Sequence, residues 1–152
     1  MSYKLSERSL GRLQGVHPNL VKVVKRAIEI SKQDFMVLEG VRTKKQCMVN
    51  YGKGRTIAQC VAKGVPAQYA NPRAAKVTWL NDPFASKHVS GKAVDLVPYP
   101  VDWNDLKKFD AIAQAMLQAA KELGVPVRWG ADWDGDGKPR ERGESDSPHF
   151  EI

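Results

Sequence analysis

The chain has 152 residues and a mass of 16.9 kDa, enough to bury a core without disulfide or metal staples and no more than one domain requires. Hydrophobic residues make up 42% and charged residues 27%, the balance of a folded chain and not of a disordered one. Lys and Arg number 24 against 17 Asp and Glu; the net charge of +7 excludes an acidic solvating chain and favours an anionic partner, be it nucleic acid, a membrane surface or an anionic polymer.

Absent features narrow the choice. No apolar run approaches the roughly 18 residues of a membrane span, so no membrane insertion is expected. The stretch MSYKLSERSLGRLQG has no apolar signal-peptide core, which predicts synthesis in a cytoplasm without export by the usual route. Cys47 and Cys60 make no disulfide framework, and their spacing does not suit a paired zinc knuckle; buried free thiols are expected.

Along the chain, Leu20, Val23, Val24, Ala27 and Ile28 recur at helical spacing behind His17 and Pro18, predicting a helix to Ile30 with His17 at its start. Asp34–Val41 reads as a strand, and Thr43–Tyr51 as a short helix ended by Gly52 and Gly54. Residues 55–86 are broken by Gly64, Pro66, Pro72 and Pro83, predicting a long loop with a short helix near Ile57–Ala62. Lys92–Tyr99 is a strand, and Asn104–Leu123 a helix with an apolar face capped by Gly124. Val125–Trp129 and His149–Ile152 are further short strands, separated by a polar loop from Ala131 to Asp146. Helices and strands do not alternate, so the expected fold is α+β, with helices packed on one small antiparallel sheet. Residues 1–152 are read as a single domain.

Two of the three histidines keep suggestive company. His88 lies in SKHVSGKAVD, seven residues before Asp95, and His149 lies in DSPHFEI, three residues after Asp146. Two imidazoles and a carboxylate are a sound zinc donor set, leaving a coordination position for a water whose pKa falls to about 7. A further carboxylate must then take the water's proton, and Asp146 is the candidate by its place in the sequence. Taken singly, a histidine is more often a surface or core residue than a ligand.

The longer strings go further. SKHVSGKAVD fits S-x-H-x-x-G-x-A-x-D, and with the D-x-x-H-F-E ending it resembles the zinc D,D-peptidases and L-alanyl-D-glutamate endopeptidases that cut peptidoglycan stem peptides. LEGVRT, the GRT at Gly54–Thr56, and VRWGADWDGDG, similar to the W-G-G-D-W element of the phage and bacillar endopeptidases, extend the resemblance from about His17 to Ile152. The resemblance implies a Hedgehog/D,D-peptidase-like fold, a single catalytic domain without a separate wall-binding domain, and a monomer. It implies His88, Asp95 and His149 as zinc ligands and Asp146 as the general base. It places Arg42 at the oxyanion, with a structural ion pair as the other reading, and Ser86 beside substrate or His88, with a loop cap as the alternative. Gln46 would line the cleft and Gly91 would serve backbone geometry; Trp129 and Trp133 would flank the cleft as core, rim or substrate contacts.

The activity so implied is that of a phage endolysin hydrolysing the L-alanyl-D-glutamate bond, made in the host cytoplasm and acting on the wall after release. A D-alanyl-D-alanine carboxypeptidase or dipeptidase of the same fold is the alternative. Bacterial peptidoglycan is the expected partner. Nucleic acid is not, because the basic residues are scattered and form no recognisable binding motif. One segment stands apart: Asp132, Asp134, Asp136 and Gly137 spell D-x-D-x-D-G, the opening of a calcium loop. The twelfth position, where such a loop carries a bidentate Glu, is Gly143, with Glu144 one place late. Calcium at Asp132, Asp134 and Asp136 is therefore an expectation from an imperfect match, against a solvated acidic turn.

Overall fold

In the computed structural model, which describes residues 2–78, 82–141 and 146–152, the chain divides into two compact units, Met1–Val41 with Ser90–Ile152 and Arg42–Val89. The first unit carries the sheet. Helix α2 (Pro18–Ile30) starts where the Nδ1 of His17 accepts from the Asn19 N–H at 3.1 Å, so His17 is the helix cap. Helix α5 (Leu106–Leu123) ends at Gly124 with φ 66°, a left-handed cap that glycine adopts without strain. The apolar faces of these helices, Leu20, Val23, Val24 and Ala27 on α2 and Ile112, Met116 and Ala119 on α5, meet in one core with the sheet.

The sheet is antiparallel, in the order β1 (Phe35–Glu39), β2 (Ala93–Pro98), β4 (His149–Glu151), β3 (Arg128–Trp129). Cross-strand partners share a face, and successive residues alternate. Val37 opposite Leu96, and Val94 and Trp129 opposite Phe150, therefore turn into the core. Asp95, opposite His149, turns the other way. Phe150 is fully buried between two polar neighbours and pins β4 with about 2–3 kcal/mol of apolar burial.

Two elements differ from the sequence reading. The expected strand from Val125 is reduced to Arg128–Trp129, because Val125 N–H returns to the Ala120 carbonyl at 2.9 Å as part of the helix cap and Pro126 has no N–H to offer. The chain also gains α1 (Glu7–Arg12), started by Ser6. Its purpose is visible at the outer edge of β1, where the Val37 N–H donates to Ser9 Oγ at 3.0 Å and Arg12 donates to the Val37 carbonyl at 2.8 Å. A helix thus satisfies a strand edge that would otherwise invite pairing with another chain.

The second unit contains α3 (Lys44–Gly52), capped by Thr43, and α4 (Ile57–Ala62), whose Thr56 and Gln59 form a capping box. A 3-10 turn at Ala67–Tyr69 follows. Tyr51, Cys60 and Val65 form its small core. The segment expected as loop is tied down by the buried Arg55, which donates to the carbonyls of Tyr51 at 2.8 Å and Thr78 at 2.9 Å and lies over the Tyr51 ring. Cys47 and Cys60 are buried and not disulfide-bonded, as expected. Among the described residues no helix is long and apolar enough to cross a membrane.

Candidate active site

On the polar face of the sheet, Asp95 and His149 stand in register on adjacent strands, with His149 Nδ1 3.3 Å from Asp95 Oδ1. The other ring nitrogen, Nε2, lies 2.9 Å from Glu151 Oε1. Glu151 is two residues along β4 and so on the same face. With Nε2–H donated to Glu151, Nδ1 keeps its lone pair for a metal, the carboxylate–histidine arrangement that fixes tautomer and ring orientation. With no metal bound, burial pulls the His149 pKa down, but hydrogen bonds to Asp95 and Glu151 outweigh it and hold the imidazole above its usual range; a metal on Nδ1 would take the place of that proton.

Asp146 reaches the same ring from a turn. Its Oδ2 is 3.9 Å from His149 Nδ1, and the His149 N–H donates to the Asp146 carbonyl at 3.1 Å. The Asp146 side chain is 53% exposed, against 11% for His149, so the carboxylate is open to water while the imidazole is not. Gly130 makes this approach possible: a Cβ there would run into the Asp146 carbonyl oxygen and stand 2.8 Å from Asp146 Cβ and 3.0 Å from His149 Cβ. Ser147 is anchored on both sides, its carbonyl accepting from Trp129 Nε1 at 2.7 Å and its hydroxyl from Arg140 Nε at 3.3 Å.

In the second unit, His88 is buried near the start of a turn. Its carbonyl accepts from the Arg42 N–H at 3.0 Å, and its own N–H donates to Ser86 Oγ at 3.3 Å. The same hydroxyl faces Arg42 NH1 at 3.4 Å, so Ser86 joins the arginine to the histidine backbone. Gln46 is exposed on α3 with its amide donating to Asn50 Oδ1 at 2.9 Å. Just past His88, Gly91 has φ 75° and a Cβ there would stand 2.5 Å from the Gly15 carbonyl oxygen, so its value is conformational.

The ligand atoms of His88, Asp95 and His149 all lie within 4.8 Å of one another. Two imidazole nitrogens and one carboxylate oxygen, the nitrogens on buried residues, are a donor set that fits zinc and leaves a position open for chemistry. The sequence profile of the phage L-alanyl-D-glutamate peptidases matches residues 1–69 and 61–152. The L-alanyl-D-glutamate peptidase of Escherichia phage T5 is 38% identical over 158 residues, spanning 100% of this chain and 99% of that protein. This chain belongs to the phage L-alanyl-D-glutamate peptidase family. The crystal structure of the Serratia marcescens L-Ala D-Glu endopeptidase ChiX shares the fold, with a TM-score of 0.65 and 28% identity over 100% of this chain and 91% of that one. The α+β fold is therefore that of the family, and the His–Asp–His set is the zinc-binding site of a metallopeptidase.

In this peptidase the two tryptophans have separate places. Trp129 is core, stacked on Phe150 with centroids 6.4 Å apart. Trp133 lies against the His149 ring at 5.5 Å and carries the Arg128 guanidinium 5.1 Å from its centroid. Asp132, Asp134 and Asp136 also gather their carboxylates within 4.8 Å of one another. Asp132 is buried, which pushes its pKa up, while the Lys138 N–H and the Glu141 side chain hold Asp136 low. Gly143 and Glu144 lie outside the described residues.

Three contributors carry no role in the sequence reading. Glu151 is legible in principle from strand alternation after His149. Gly130 is visible only as part of the WGADW string. Arg140 has φ 64°, rare for a residue with a Cβ, and its guanidinium reaches Asp110 at 2.9 Å as well as Ser147. It ties α5 to the turn that bears Asp146, and nothing in its neighbours announces this.

Proposed function

We propose that this zinc peptidase hydrolyses the L-alanyl-D-glutamate bond of peptidoglycan stem peptides, acting as an endolysin on the wall of a bacterial host after release from the cytoplasm. The reading rests above all on the His88–Asp95–His149 cluster, with the exposed Asp146 carboxylate beside it, in a chain matched end to end by the phage T5 peptidase. Zinc, when bound, supplies Lewis acidity and lowers the pKa of water. His88, Asp95 and His149 would hold it, with Glu151 fixing the His149 ring.

Asp146 is assigned as the general base. It takes the proton of the attacking water and returns it to the amine of the departing glutamate, so that one carboxylate serves both halves of the hydrolysis. Its exposure allows both exchanges. Arg42 is assigned to the carbonyl oxygen, which gains negative charge as the water adds; a guanidinium meets that charge with fixed, charge-assisted hydrogen bonds. Ser86 orients Arg42 and His88 and is a substrate contact in this reading, with Gln46 further along the same unit.

Purified peptidoglycan tests the assignment. New alanine C-termini and new glutamate N-termini are expected. Release of free D-alanine instead would replace the endopeptidase by a D-alanyl-D-alanine carboxypeptidase.

Calcium at Asp132, Asp134 and Asp136 belongs to the same proposal. In its support, three carboxylates converge with one of them buried, an arrangement whose mutual repulsion a hard divalent cation would relieve. Calcium should raise the melting temperature of the zinc-loaded protein and its lytic rate. Equal melting and equal rate with added calcium and with a calcium-selective chelator would remove this part.

A further inference from the structure

The positive charge of this chain belongs to one unit. Residues 42–89 hold nine Lys and Arg against one acid, Asp82, a net of +8 in 48 residues; the other 104 residues carry 15 against 16, a net of −1. The whole surplus therefore lies in the unit that contributes Arg42 and His88.

Arg55 is consumed by the Tyr51 and Thr78 carbonyls, and Arg42 is held beside Ser86. Lys44, Lys45, Lys63, Arg73 and Lys76 are exposed. Lys44 and Lys45 occupy the first turn of α3, which has no acidic residue, although the positive end of the helix dipole disfavours cations there. Asp82 is turned to its own loop, accepting from the Phe84 N–H at 2.9 Å. A small unit that concentrates like charge with a single acid works against its own stability. Such an arrangement points to use by a partner.

We propose that the Arg42–Val89 unit is an electrostatic docking surface for the carboxylate-rich peptidoglycan mesh, holding the enzyme on its insoluble substrate. The inference rests on the peptidoglycan reading above. Stem peptides that contain glutamate present carboxylates ionised at neutral pH, complementary to this surface. The cations are spread over α3, the end of α4 and the segment after the 3-10 turn, and so suit a diffuse mesh better than a single groove-reading helix of a nucleic-acid binder.

The test uses the zinc-loaded full chain and two fourfold variants. One replaces Lys44, Lys45, Lys63 and Arg73 by Gln; the other replaces Lys22, Lys25, Lys32 and Lys107, which are exposed in the other unit. Both lose the same charge. Co-sedimentation with purified sacculi at low salt should fall about tenfold for the first, the lower end of what electrostatic attraction supplies, and little for the second. Salt dependence of lysis should flatten in the first alone. Cleavage of a small soluble muropeptide should be equal in all three. Failure to cleave the muropeptide by the unaltered chain would instead count against the substrate reading, separately from docking. Equal loss of retention in both variants would reduce the effect to net charge, and undiminished retention in the first would remove the surface; either overturns the proposal. So would tighter retention on a duplex oligonucleotide than on sacculi at the same salt. If the first variant fails to fold by its melting curve, Lys44→Gln with Lys45→Gln carries the same comparison.

Discussion

Gly130→Ala adds one methyl group at the closest approach in the site. The new Cβ would stand 2.8 Å from Asp146 Cβ and 3.0 Å from His149 Cβ, and would press on the Asp146 carbonyl oxygen. Carbon atoms rest at about 3.5 Å or more, so the 146–149 segment must retreat by about 0.7 Å. It is not free to do so. Ser147 is held by Trp129 and Arg140, the Gly130 N–H donates to the His149 carbonyl at 2.8 Å, and β4 is paired on both sides. The strain should cost about 1–3 kcal/mol, the usual penalty for overpacking. Displacement of Asp146 and His149 by that amount should lower turnover by about 100-fold, the loss expected for a misplacement near 1 Å. Melting curves measure the strain, and bound zinc with kcat on sacculi measures the displacement of His149 and Asp146. A Gly130→Ala enzyme with bound zinc and kcat within twofold of the original would refute the claim that this glycine sets the distance between base and ligand.

Asp146→Asn should keep fold and zinc while losing about 100-fold or more in kcat, since the amide cannot accept the proton; near-normal turnover with zinc bound would remove the assignment. Glu151→Ala should weaken zinc about 10–100-fold in chelator competition, with Glu151→Gln, which retains an acceptor, closer to the original; equal zinc affinity in all three would show that Glu151 does not orient His149. Arg140→Gln, by releasing Asp110 and Ser147, should lower kcat more than it raises KM, because it loosens the turn bearing Asp146 without touching substrate. A change in KM alone would place Arg140 against the substrate.

Much of the site is readable because strands obey a period of two. In AVDLV the single acid alternates with residues that point to the core, and in HFE the aromatic residue does the same, so Asp95 and His149 must leave the core on a common polar face once β2 and β4 pair. The same rule reaches Glu151, although the motif draws attention to His149 and not to its neighbour. What sequence does not carry is approach across distance. Ser9 and Arg12 meet Val37 more than twenty positions away, and no local pattern marks a six-residue helix as an edge cover. Gly130 is a turn glycine in sequence and becomes critical only when the Asp146 carbonyl arrives on it. The charge of +7 is plain from composition, but its confinement to residues 42–89 appears only when contacts show which residues form a unit.

The division of labour we propose between His149 as ligand and Asp146 as base fits where each is mounted. A metal ligand works best when its lone pair cannot wander, and His149 is on a strand paired to both sides, with its far nitrogen held and its ring against Trp133. A base that must collect a proton from water and release it to an amine needs an open carboxylate with room to turn. Asp146 meets that need three residues earlier, on an exposed turn whose next residue, Ser147, is buried and anchored. Moving the carboxylate onto the strand would fix it too well, and moving the imidazole onto the turn would loosen the metal. The D-x-x-H spacing reconciles the two: it places the imidazole at the start of β4 and the carboxylate in the turn before it, 3.9 Å apart.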